Sequence, residues 1–306
     1  MALTNTTTLS PVMQIYYDKR LLKRAEKELV YKQIGRVGTI PNGEGKTIYW
    51  TRYTNMPAQS SALTEGTDPT ARGISAVTVS AVLAQYGDLT QVTDVLSLTA
   101  FDNVISSAVE LLGYQAGLTV DTVVRDVVAS TTNVLYASGV ANRTSISATD
   151  ILQIADVRKA VRTLRAANAM PHSKAGGKFV AVVHPNVEYD LQGDDSWVNA
   201  SQYTEKGVGR IWQGETGEMY GVKFLRSSNA PVLTNSGSAG TEVYQTLIFG
   251  EEAFGVSDLQ NIRTIVHNPS KNSSLELYAD VGWKTSFATA ILNNDYMVSI
   301  ESAASA

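Results

Sequence analysis

The sequence predicts an α+β protein, and three observations carry that reading. Runs rich in β-branched and aromatic residues at 46–53, 74–86 and 178–184 have strand character. Segments 94–129 and 149–168 place apolar residues at three- and four-residue spacing, the mark of helices with one buried face. The elements fall in order as arm, ribbon, long helix, mixed body and closing strands.

The first element spans residues 11–34. Ser10 is a capping residue and Pro11 follows at the first helical position. Ile15, Leu22, Leu29 and Val30 mark an apolar stripe, with Lys19, Arg20, Lys23, Arg24 and Lys27 around it, and Gly35 and Gly38 end the helix. The strand-like runs 46–53 and 74–86 follow, separated by a polar stretch, 54–73, that holds Pro57, Gly66, Asp68 and Pro69. They read as a long two-stranded ribbon with an irregular tip. A two-stranded ribbon is marginal alone in water, so this one needs a surface to lie on.

Residues 94–129 form the longest expected helix, at ~1.5 Å per residue roughly 50 Å. Phe101, Val104, Ile105, Ala108, Leu111, Leu112 and Ala116 give its stripe, continued by Val120, Val123, Val124, Val127 and Val128. Gly113 and Gly117 weaken its middle. Its charges are Asp94, Asp102, Glu110, Asp121 and Asp126 against Arg125. A third helix is expected over 149–168, with Ser147 and Asp150 as a variant capping box. Beyond Gly176-Gly177, the run KFVAVVH is apolar enough to be buried on both faces and stops at Pro185. Short strands follow at 222–226, 243–249 and 262–267, with 227–241 as an exposed loop, and LELYADVGWKTSFATAIL and YMVSIE close the chain.

Composition narrows the chemistry. Hydrophobic residues make up 43% of the 306, enough for a substantial core, whereas charged residues are 18%, below the usual quarter. Cysteine is absent, which removes disulfides, thiolate metal sites and a cysteine nucleophile. The first ten residues lack the basic and apolar regions of a secretory signal, and no apolar run is long enough for a membrane span. Net charge is −4, but residues 1–52 carry +5 and the remainder −9, so a basic arm precedes an acidic body.

No catalytic, cofactor or metal motif survives its spacing test. GEGKT at 43–47 resembles the end of a phosphate-binding loop, but Ile40 stands where that loop needs glycine, and a strand follows where it needs a helix. Gly176-Gly177-Lys178 also leads into a strand. His172, His184 and His267 are far apart, and His184 reads as a strand-end histidine. Asp194-Asp195 and Glu251-Glu252 are adjacent pairs whose side chains point apart, unsuited to acid/base work. An enzyme whose groups converge from distant positions stays open as an alternative.

The order of elements resembles the Hong Kong 97-type capsid fold shared by tailed phages, herpesviruses and encapsulin shells. AQYGDLTQVTD at 84–94, LGYQAGLTVDTVVRDV at 112–127, KFVAVVHPNVEYDL at 178–191, GETGEMYGVKFLRSSNAP at 214–231 and VGWKTSFATAILNNDYMVSIES at 281–302 are similar to the N4-type phage major capsid family. The resemblance implies an N-terminal arm (1–40), an E-loop ribbon (41–93) with its tip at Pro57, Gly66, Asp68 and Pro69, and a peripheral (P) domain with a spine helix (94–146). An axial (A) domain (147–269) and closing strands of the P domain (270–306) would complete it. It implies a non-enzymatic shell subunit without cofactor, found in the virion and assembled in the host cytoplasm as hexamers and pentamers around double-stranded DNA. Portal and decoration proteins would be partners, and no membrane would be. The arm starts almost at Met1, which suggests a separate scaffolding protein or prior cleavage. An encapsulin-like compartment is the alternative within the fold.

One contact expectation combines charge and resemblance. Lys19, Arg20, Lys23, Arg24 and Lys27 of the arm are expected to meet Asp94, Asp102, Glu110, Asp121 and Asp126 on the spine of an adjacent subunit. The arm's apolar stripe favours protein over DNA as its partner.

Overall fold

In the computed structural model, residues 10–26, 28–39, 45–63, 65–99, 104–194, 217–267 and 277–305 are described. Pro11 lies in the first turn of helix α1 (Ser10–Ala25), where its missing N–H costs nothing. The single helix expected over 11–34 breaks after Ala25. A short helix α2 (Tyr31–Ile34) follows, then strand β1 (Arg36–Thr39). The cause lies far along the chain. The N–H groups of Val30 and Tyr31 donate to Oδ1 of Asp121 at 2.8 and 2.7 Å, so a carboxylate from a later helix satisfies a helix start that the local sequence does not encode.

Strands β2 (Thr47–Tyr53) and β3 (Ala76–Val82) pair antiparallel over their full length, from Thr47 opposite Val82 to Tyr53 opposite Ala76. Strand β4 (Ala84–Thr93) leaves this ribbon, and helices α3 (Asp94–Thr99) and α4 (Val104–Ala129) follow. The body continues with β5 (Val134–Tyr136), α5 (Ile154–Ala166), β6 (Phe179–Val183) and α6 (Pro185–Gln192). Next come β7 (Gly217–Met219), β8 (Val222–Arg226), β9 (Val232–Leu233) and β10 (Val243–Phe249). The long strands β11 (Phe254–His267) and β12 (Tyr278–Ile291) lead to β13 (Met297–Ser302).

Helix α5 starts five residues later than the expected 149. Ser147 and Asp150 do interact, but as a separate turn in which the Asp150 carboxylate accepts from the Ser147 N–H at 2.8 Å and its hydroxyl at 2.7 Å. These bonds hold the Asp150 carboxyl below its ordinary pKa. Ile151 then bridges to Ala303, which delays the helix.

Three sheets organise the described residues: β1-β11-β12-β4, the ribbon β2-β3, and β5-β13-β10-β6-β8-β7 with β9 beside β10. All of β6 is buried because both faces are covered. Phe179, Ala181 and Val183 pack with Val157 and Leu164 of α5 and Val187 of α6. On the other face, Val180 and Val182 join Val120, Val124 and Val128 of α4 and Tyr31 of α2. Residues 270–306, expected to close one domain together, divide between sheets: β12 joins β4 and β11, while β13 pairs with β10. The reason is burial, since every position of β13 is inaccessible and needs cover on both faces.

Candidate assembly surfaces

The arm seats on the spine through glycine. A Cβ on Gly113 would stand 2.8 Å from the Leu21 carbonyl oxygen, and one on Gly117 would stand 2.5 Å from that of Ala25. Glycines that weaken an isolated helix here admit the backbone of α1, and Leu21 and Ala25 are wholly buried in the seam. Around it, Arg20 Nε donates to Glu110 Oε1 at 2.7 Å, and the Arg24 guanidinium lies 5.1 Å from the centre of the Tyr114 ring. The hydrogen bond from Arg20 holds the Glu110 carboxyl below its ordinary pKa, and the same bond raises that of Arg20.

These contacts revise the expected arm–spine pairing. Arg20 meets Glu110 within one chain. Lys19 and Lys23 are exposed, whereas Lys27 and Asp102 lie outside the described residues. Asp94 accepts from the N–H of Val95 at the start of α3, and Asp126 pairs with its neighbour Arg125 at 2.6 Å. Asp121 is wholly buried and cannot meet another subunit, so it leaves the contact set. Besides Val30 and Tyr31, its carboxylate accepts from Asn229 Nδ2 at 3.3 Å, joining arm, spine and body. Burial nonetheless pushes its pKa up, the largest of the influences on it. Its position was readable: 121 lies four residues after Gly117 and three before Val124, on the buried stripe.

The ribbon has one covered face. Ile48 and Trp50 are buried against Ala288 and Leu292, with the Trp50 indole lying where a Cβ on Gly255 would come within 2.8 Å. On the opposite face Tyr49, Tyr53 and Val82 are 67%, 72% and 68% exposed. At the tip, Pro57, Gly66, Asp68 and Pro69 are all exposed. Arg72 folds the tip on itself by donating to the Pro57 carbonyl at 3.1 Å and Gln59 Oε1 at 2.6 Å. Gly66 has φ +76°, a left-handed turn residue.

Loop 227–241 is not the wholly exposed edge expected. Ser227, Ala230 and Pro231 are buried, and Asn229 accepts hydrogen bonds from Arg125 and Thr122 of α4. Val232–Leu233 forms β9, leaving Ser228, Thr234–Asn235 and Ser238–Gly240 exposed.

Two histidines have structural partners. His184 caps α6 by accepting from the Asn186 N–H at 3.2 Å, and burial lowers its pKa. His172 Nε2 lies 2.9 Å from the Ile34 carbonyl oxygen and ties the body to the arm. Among the described residues no cluster of three or more His, Asp or Glu could hold a metal ion, and no helix is long and apolar enough to cross a membrane.

A family model described as phage capsid protein matches residues 76–296. The capsid of Ralstonia phage GP4 superposes with a TM-score of 0.68 at 12% identity, over 91% of this chain and 92% of that one. The cyanophage Pam1 capsid gives 0.67 at 14%, over 92% of each chain. A virus-like particle from Pyrococcus furiosus gives 0.54 at 14%, over 94% of this chain and 99% of that one. No curated protein matches the chain. The superpositions establish the Hong Kong 97-type fold, and the match over residues 76–296 shows that the chain belongs to the phage capsid protein family.

Proposed function

We propose that this capsid protein builds the icosahedral head of a tailed phage, of the N4 type, as hexamers and pentamers around double-stranded DNA. Family membership makes it a structural protein of the virion and not an enzyme. The observation that supports its mode of assembly is the ribbon. Its inner face is anchored on the body by Ile48 and Trp50, while its outer face and tip project Tyr49, Tyr53 and Val82 without cover. A neighbouring subunit would supply that cover. Closed shells repeat such head-to-tail contacts between identical chains.

In this reading residues 1–40 are the arm, 41–93 the E-loop, 94–146 the spine region of the P domain, 147–269 the A domain at the capsomer axis, and 270–306 the return to the P domain. The return is divided between two sheets, β12 pairing with β4 and β11 and β13 with β10, which ties the P and A domains of this reading together. Lys19 and Lys23, exposed on α1, remain the arm's candidates for a neighbour. Portal, scaffolding and decoration proteins are the proposed partners, and assembly is proposed to occur in the host cytoplasm.

Negative-stain microscopy of the expressed chain, with and without the phage's other head proteins, tests the reading. Closed shells are expected, and residues 54–73 should be the first site cut by protease in free subunits and protected in shells. Particles that load a host protein instead of DNA would favour the encapsulin-like alternative. A chain that stays small under every condition would overturn both.

A further inference from the structure

Helix α5 carries a surface that the shell reading leaves unused. It holds four cations, Arg158, Lys159, Arg162 and Arg165, and one anion, Asp156. Asp156 is buried and its Oδ1 lies 2.8 Å from Lys159 Nζ, so that pair is closed. Arg158, Arg162 and Arg165 are exposed, and their spacing of four and then three residues puts them on one face. Among the described residues none of the three forms an ion pair.

The stripe runs onto a shaped turn. The Arg158 guanidinium lies 5.2 Å from the centre of the Tyr220 ring. Tyr220 has φ +50° and Gly221 φ +80°, a left-handed pair that holds the ring outward between β7 and β8. Arg165 Nη2 reaches the same turn, 3.3 Å from where a Cβ on Gly221 would stand. Arginine and an outward tyrosine are residue types enriched in the cores of protein interfaces. Like charges one turn apart weaken a lone helix. Beyond the Arg158–Tyr220 contact, the stripe therefore costs the isolated helix stability and gains against an anionic partner.

Two anionic partners are available to a shell subunit: DNA and other subunits. Outside residues 1–52 and α5 the chain has 12 Lys/Arg and 24 Asp/Glu, a net of −12, so a second copy is itself an acidic surface. Helix α5 also packs on the face of the seven-stranded sheet opposite α4, which carries the other basic helix, α1. A genome lying along one side of a shell cannot meet both. We infer that the Arg158, Arg162 and Arg165 face of α5, extended by Tyr220, docks on acidic surface of a second copy of this chain. The inference rests on the shell reading and names one of its interfaces.

The test is the full chain carrying Arg158→Glu, Arg162→Glu and Arg165→Glu together, assembled as the wild type is. Light scattering and microscopy give the concentration at which shells form, and circular dichroism gives the Tm of free subunits. The reversal should raise that concentration about tenfold or more at unchanged Tm. Added salt should weaken wild-type assembly more than that of the variant. Normal shell formation by the folded variant would overturn the inference while leaving the shell reading intact. Normal empty shells with a deficit confined to DNA-filled ones would overturn it in favour of nucleic acid. Should the reversal unfold the subunit, the triple Arg→Gln variant decides on the same scale. A wild type that forms no shell with any partner would overturn the shell reading and this inference with it.

Discussion

The seven-stranded sheet and the β2-β3 ribbon are built from the same residue types, yet they differ in what covers them. Strands β6, β10 and β13 are buried at every position, because α5 and α6 cover one face and α4 with α2 covers the other. The ribbon buries Ile48 and Trp50 and leaves Tyr49 and Tyr53 in solvent. β-Branched and aromatic residues thus secure a strand within one chain in the first case and prepare it for a neighbour in the second. Stability should reside in the sheet, and assembly in the ribbon.

The sharpest way to break this contrast is inside the sheet. Phe249 is wholly buried between Tyr31 and Phe254, at ring distances of 6.3 and 5.3 Å. Phe249→Ala should cost about 3–5 kcal/mol in urea unfolding of free subunits. Next is Arg143→Ala. Arg143 donates to both oxygens of the fully buried Glu301 at 2.8 and 2.6 Å, with Gln245 the remaining donor at 2.9 Å. Removal leaves a buried carboxylate short of donors, and because Arg143 is partly exposed the same measurement should show a loss of about 2–3 kcal/mol.

A smaller effect is expected at the arm. Gly117→Ala puts a methyl against the Ala25 carbonyl and should cost about 1–3 kcal/mol, with trypsin cutting faster at Lys23 and Arg24. The smallest belongs to the ribbon. Tyr49→Ser with Tyr53→Ser should change subunit stability by about 0.5 kcal/mol or less, yet lower shell yield. A stability loss as large as that of the sheet variants would show that the ribbon is part of the body and erase the contrast.

What the sequence made legible follows the same division. The periodicity of α4 and the unbroken run of β6 were readable because local pattern and burial agree in both. The breaks were not. Helix α1 ends at Ala25 without glycine or proline, and Asp121, some ninety residues on, supplies the carboxylate oxygen that accepts from the new helix start at Val30 and Tyr31. Asp121 itself looked like a solvent charge, although its spacing from Gly117 and Val124 placed it on the buried face. Strand β4 was legible only to residue 86 because its exposed half is held by pairing with β12 and not by its own apolar pattern. Of the expected arm–spine ion pairs, charge alone identified Arg20 and Glu110 but not which chain each belongs to.

The four-stranded sheet draws its strands from both ends of the chain. Arg36 pairs with Gly255 and Thr93 with Tyr278, partners separated by some two hundred residues. During synthesis the arm and β4 emerge long before β11 and β12 exist, so this sheet cannot close until residues up to Ile291 have been made. The ribbon's inner face waits equally long, since Ala288 and Leu292 are its support. A subunit made only as far as β11 therefore offers no seated ribbon to its neighbours, and the topology itself delays association until β12 has emerged.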